Sequence, residues 1–150
     1  MTIDDLRTAL GDLDLDPRPG GGPGVVAVAL PSEARGGFTV EIRRTERAFA
    51  MRAFIMRRPD RNHLEVYARL LRKNLEARDW RFAVDDDGDV YISAYVAPDL
   101  LRGDGLDGLL GGACALVDAV FEGMARTGFD IPAGMSLRPP PAPDPGPPAT

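Results

Sequence analysis

The stretch RFAVDDDGDVYISAYV, residues 81–96, sets four aspartates and one glycine between two apolar runs. It opens like a calcium loop. An EF-hand loop with Asp85, Asp87 and Asp89 as its first three ligands needs glycine at position 90 and a bidentate glutamate at position 96. The chain has Val90 and Val96 there. Both flanks are rich in β-branched and aromatic residues and read as strands, not as the two helices of an EF-hand. The stretch therefore predicts a β-hairpin, with Gly88 supplying a positive φ and the aspartates tolerating turn geometry while staying solvated. No metal and no cofactor is expected here, and a hairpin at this place commits the chain to an antiparallel sheet.

Upstream, VVAVALP at 25–31, FTVEIRR at 38–44 and RAFAMRAFIMR at 47–57 read as three strands of an antiparallel meander. In the second, Phe38, Val40 and Ile42 point one way and Thr39, Glu41 and Arg43 the other, so one face is wet. The third is apolar on both rows except at Arg52, which predicts cover on both faces. Pro59 ends it, because proline has no N–H to give a ladder. In PDRNH, Asp60 and Asn62 are expected to satisfy free N–H groups at the start of a helix over 62–77. Leu64, Tyr67, Ala68, Leu71 and Leu75 form its apolar stripe, widened by Val66 and Leu70.

Thr2 predicts an N-cap for an amphipathic helix over about 3–12, within an N-terminal unit 1–16, and PRPGGGPG at 17–24 reads as a linker that is neither helix nor strand. The body spans 25–129 and ends in an apolar-faced helix over 104–127, closed by Gly128. From 130 to 150 the chain reads as a disordered tail, with seven prolines between 139 and 148.

With 150 residues, 44% hydrophobic and 27% charged, the chain fits one globular domain. Its start is acidic where a signal peptide would be basic and then apolar, and no apolar run is read as approaching the roughly 20 residues that span a bilayer, so a cytoplasmic, membrane-free protein is expected. The single cysteine, Cys114, excludes an internal disulfide and reads as a small core residue. Charge is uneven: residues 1–34, 35–81 and 82–150 carry nets of −4, +7 and −8, within an overall −5. Acidic flanks around the basic middle disfavour nucleic acid and favour either an internal match of charged surfaces or a partner-facing patch.

His63, the only histidine, stands near Asp60. With no nucleophile motif beside it, a local hydrogen-bonding role at the first turn of the helix is the better reading. The glycine clusters match neither a phosphate loop nor a dinucleotide fingerprint. Tyr91 and Tyr95 share one strand face, opposite Val90, Ile92, Ala94 and Val96, and such aromatics suit a binding surface or cover by a helix.

The runs FIMRRPDRNHLEVYARLLRKN at 54–74, FAVDDDGDVYISAYV at 82–96 and LDGLLGGACALVDAVFEGMARTGF at 106–129 resemble the YbjN-domain family as it occurs in actinobacteria, named for sensory-transduction regulation. The shared pattern runs through Pro59, Asp60, Asn62, His63, Tyr67, Asn74, Gly88, Asp89, Tyr91, Gly111 and Phe129, among others. The chain departs from it at Arg61, Gly105 and Gly108, which bears on where the last helix starts. The resemblance implies an α+β fold ordered α-β-β-β-α-β-β-α, an antiparallel sheet with helices like that of type III secretion chaperones. It also implies no enzymatic chemistry and a regulatory or chaperone-like protein-binding adaptor. A small-ligand sensor or enzyme with a pocket at the sheet is the alternative. Because the middle helix and third strand carry more apolar surface than one contact needs, a homodimer is expected. Pairing through the middle helix, as the chaperone-like fold does, points to Leu64, Val66, Leu70 and Leu71, with Tyr91 and Tyr95 as further candidates for the dimer or partner surface.

Overall fold

The hairpin forms where its composition predicts. A computed structural model describes residues 1–131, so the expected tail lies outside the described residues except for Asp130 and Ile131. Strands β5 (Arg81–Val84) and β6 (Val90–Val96) pair antiparallel, with Val84 opposite Val90. Gly88 has φ +87°, and a Cβ there would stand 2.9 Å from Arg58 Cγ. The Asp85 carboxylate accepts from the backbone N–H groups of Asp87 and Asp89 at 3.0 and 2.9 Å, closing an Asx-type turn. Asp89 in turn accepts the Arg58 N–H at 2.7 Å. These carboxylates are committed to backbone donors, and among the described residues no group of three or more His, Cys, Asp or Glu is arranged to hold a metal ion.

The meander is β2 (Val25–Leu30), β3 (Phe38–Arg44) and β4 (Phe49–Met56), and β6 joins it beside β4. A further strand, β1, forms at Arg18–Pro19, opposite Ala27 and Val26. The linker expected at 17–24 is thus partly recruited to the sheet, because an edge strand tolerates proline where an inner one does not. The order is β1-β2-β3-β4-β6-β5, every pair antiparallel.

Alternation gives this sheet one dry face. Val28, Val40, Ala53, Ile92 and Phe82 lie in register across five strands and are all buried. The opposite rows, including Thr39, Arg43, Arg52 and Tyr95, reach solvent. Here β4 departs from the expectation of cover on both sides: Phe49, Met51, Ala53 and Ile55 are buried, but Phe54 is exposed on the open face. A register shift between Phe54 and Met56 turns Met56 inward beside Ile55, which accounts for part of the second apolar row.

Three helices share the dry face's core. Helix α1 (Ile3–Asp12) starts with a capping box between Thr2 and Asp5 and buries Leu6 and Leu10. Helix α2 spans His63–Asn74. A short 3-10 turn at Pro98–Leu101, which no sequence signal announced, precedes α3 (Gly105–Gly128). By length and composition α3 is apolar enough to cross a membrane. In the fold it is the core helix, with Leu106, Leu110, Ala113, Val117 and Met124 buried and Asp107, Asp118 and Glu122 on its exposed side. Cys114 packs half-buried against this core. Trp80, fully buried, donates its indole N–H to the Leu109 carbonyl at 2.8 Å.

Gly105 settles where α3 starts, since a Cβ there would run into the Leu100 carbonyl of the preceding turn. Gly105→Ala is expected to lower the unfolding free energy by about 1–3 kcal/mol. Gly111→Ala, exposed and open around its Cα, should raise it by up to about 1 kcal/mol. Thermal denaturation of the two variants checks the opposed signs. Calorimetric titration with calcium at millimolar concentration should give no stoichiometric heat, and a saturating isotherm would contradict the committed carboxylates of the hairpin.

Candidate functional site

The PDRNH turn is a joint between β4, α2 and the end of α3. Backbone N–H groups of Asp60 and Arg61 donate to the Gly128 carbonyl at 2.8 and 3.1 Å. A Cβ at Gly128 would lie 2.9 Å from Pro59 Cβ, so glycine is what allows the approach. Asp60 does not cap α2 as expected. Its carboxylate takes a fork of hydrogen bonds from Arg57 at 2.8 and 3.2 Å, and that pairing holds its pKa below the usual carboxylate range. Asn62 does not cap with its side chain either. It sits in the left-handed region at φ +56° and donates its side-chain amide to the Thr127 carbonyl at 2.8 Å. His63 Nε2 lies 2.6 Å from the Pro59 carbonyl, which requires the ring to donate from that nitrogen, and the imidazole stacks near Tyr67. The Tyr67 hydroxyl donates to the Gly88 carbonyl at 2.8 Å, tying the hairpin to the same joint. Thr127 and Gly128 complete the joint without having been singled out for it, because nothing local to them signals a contact with the far PDRNH turn, and Arg57 joins it through nearby Asp60.

Helix α2 presents two apolar rows, and the structure decides between them. Val66 and Leu70 are 1% and 2% exposed and belong to the chain's own core. They are therefore corrected as candidates for an association surface. Leu64, Leu71 and Leu75 are 86%, 68% and 89% exposed. The rotation of the helix is fixed by Asn74, whose side chain accepts from the Phe82 N–H at 2.8 Å and donates to the Phe82 carbonyl at 3.2 Å. Asn74 thereby acts as a one-residue substitute strand on the outer edge of β5.

The open face of the sheet carries the other candidates. Tyr95 is exposed, its hydroxyl 3.0 Å from Thr45 Oγ1. Tyr91 is half-buried, edge-on to Phe54 and under the Arg52 guanidinium at 4.8 Å. Burial and then the neighbouring Asp85 raise the Tyr91 pKa. Around a hollow of about 460 Å³ floored by Ala50 and Ser93 stand Arg43, Arg52 and Arg81. Of the ion pairs among the described residues, only Arg61 with Asp130, at 3.7 Å, joins the basic middle to an acidic flank. Among the described residues, direct ion pairing between the two is confined to that one contact.

No triad assembles from the polar groups that do meet. Ser32 donates to Asp118 at 2.6 Å and accepts from the Arg35 N–H, while His63 Nε2 is engaged by the Pro59 carbonyl. Burial, followed by Asp118, pushes the Cys114 thiol pKa up, which keeps it protonated.

Comparison with known proteins gives the chain's family. Residues 2–126 match the YbjN family, described as "Putative bacterial sensory transduction regulator". The chain is 33% identical over 113 residues to Uncharacterized protein Rv0487 of Mycobacterium tuberculosis, covering 75% of this chain and 62% of that protein. It is 29% identical over 104 residues to Uncharacterized protein ML2442 of Mycobacterium leprae, covering 69% and 56%. The chain thus spans about three fifths of the length of the curated relatives it matches. A chain in the heterodimeric complex ExoU-SpcU from the type III secretion system of Pseudomonas aeruginosa is similar with TM-score 0.49 and 21% identity, over 81% of this chain and 93% of that one. The match over residues 2–126 includes the hairpin, the PDRNH turn with α2 and most of α3, and on it the chain belongs to the YbjN family.

Proposed function

We propose that the chain is a non-enzymatic, chaperone-like regulator that works by binding protein and acts as a homodimer, with α2 as its self-association face. The observation that carries this reading is the exposed row Leu64, Leu71 and Leu75 on a helix whose other row is fully used in the core. Isolated exposed leucines are ordinary on a protein surface, but three in one line form a patch that calls for a cover. With half-buried Ala68 between them, the spacing 64, 68, 71, 75 is that of a coiled-coil seam. In an antiparallel twofold pairing of two such helices, Glu65 on one copy falls opposite Arg72 on the other, an attraction that a parallel pairing lacks. A regulatory role is supported by family membership. A cytoplasmic address belongs to the same reading, since the chain's most apolar helix is used for its own core.

Light scattering coupled to size exclusion, over about 1–100 µM protein (roughly −8 to −5 kcal/mol of association), should give twice the 16.1 kDa chain mass. Leu71→Glu should halve that mass while leaving the circular dichroism spectrum intact. Leu70→Glu should instead cost several kcal/mol of stability, because it buries a charge in the monomer core. A mass near 16.1 kDa across the whole range would overturn the homodimer.

A further inference from the structure

We propose that the open face of the sheet is a docking surface for an acidic polypeptide segment. The proposal rests on the protein-binding reading above and names the chemistry of the partner. Arg43, Arg52 and Arg81 come from three different strands and surround one hollow. None of them has a carboxylate within ion-pairing distance among the described residues. Arg52 rests on the Tyr91 ring, and Arg81 donates to the Ala77 and Trp80 carbonyls at 2.7 and 2.8 Å. Arg52 and Arg81 are thus held in place without an ion pair. Glu41, cross-strand from Arg52, and Asp79 also line the hollow, and its three arginines outnumber them, so it keeps a net positive charge.

Beside the arginines stand Tyr95 and Phe54, both exposed. Arginine with tyrosine is the combination that concentrates binding energy at protein interfaces. A segment carrying acidic side chains for the arginines and apolar ones for Tyr95 and Phe54 satisfies both halves of the surface. A nucleic-acid backbone does not, since its regularly spaced phosphates meet Glu41 and Asp79 as well. The partner lies across the face and does not add a strand: β1 is two residues long and ends in Pro19, and Asn74 occupies the Phe82 backbone groups on the opposite edge.

Fluorescence anisotropy tests this with a labelled peptide of about 14 residues that alternates Glu or Asp with Leu or Tyr, at about 0.05 M salt. Saturable binding in the micromolar range is expected, weakened at least about ten-fold in the double variant Arg43→Ala, Arg52→Ala, and unchanged in Arg102→Ala, which lies off the face. The same peptide with Gln and Asn in place of its acids should not bind. Absence of saturation at about 0.5 mM peptide, or undiminished binding by the double variant with native circular dichroism, would overturn the proposal. So would displacement of the peptide by an equimolar single-stranded oligonucleotide or by inorganic phosphate. Light scattering on the same samples separates the two readings: a dimer that ignores the peptide refutes the docking surface alone, and a monomer that binds it refutes the dimer alone.

Discussion

α3 lies against one side of the antiparallel sheet, and the positions of the other elements follow from that contact. Its buried row of Leu106, Leu110, Ala113, Val117 and Met124 is worth on the order of 2 kcal/mol per large side chain removed from water. The helix needs this packing, since the glycines in its first half disfavour helix at roughly 1 kcal/mol apiece. It is also pinned along its length. The Trp80 indole holds Leu109 near the start, and the backbone of Asp60 and Arg61 holds Gly128 at the end. One side of the sheet is covered by the chain's own helices, and on the other side Arg43, Arg52 and Tyr95 reach solvent.

Much of this was legible from residue order because the signals were local. The β5–β6 turn could be read from DDDGD, since glycine geometry and Asx hydrogen bonding act within five residues. The α1 cap could be read from Thr2 for the same reason. The two rows of α2 could be seen but not ranked. Leu64, Leu71 and Leu75 are as apolar as Val66 and Leu70, and the choice between them is made by Asn74 reaching Phe82 on β5. Asn62 was misassigned as a cap for a similar reason: its side chain answers to Thr127, and that long-range partner leaves no trace in local spacing. Asp60 was misassigned because Arg57, a local neighbour in sequence, takes its carboxylate first. The two-residue strand at Arg18–Pro19 is too short for any periodicity to register.

Several of the residues on which the resemblance was read lie in the joint. Pro59, Asp60, Asn62, His63, Tyr67, Gly88 and Asp89 hold the β4–α2 turn, the hairpin and the end of α3 together through backbone carbonyls and N–H groups. A motif of this kind reports how the chain folds. The two surfaces proposed here for partners, the outer row of α2 and the open face of the sheet, lie outside that joint and carry leucine, arginine and tyrosine.

The way the sheet ends sets a limit on assembly. Pro19 closes one rim and Asn74 occupies the other. Where those two residues stand, the backbone of β2 and of β5 is already engaged, so a neighbour meets the molecule there through side chains and not through a shared ladder.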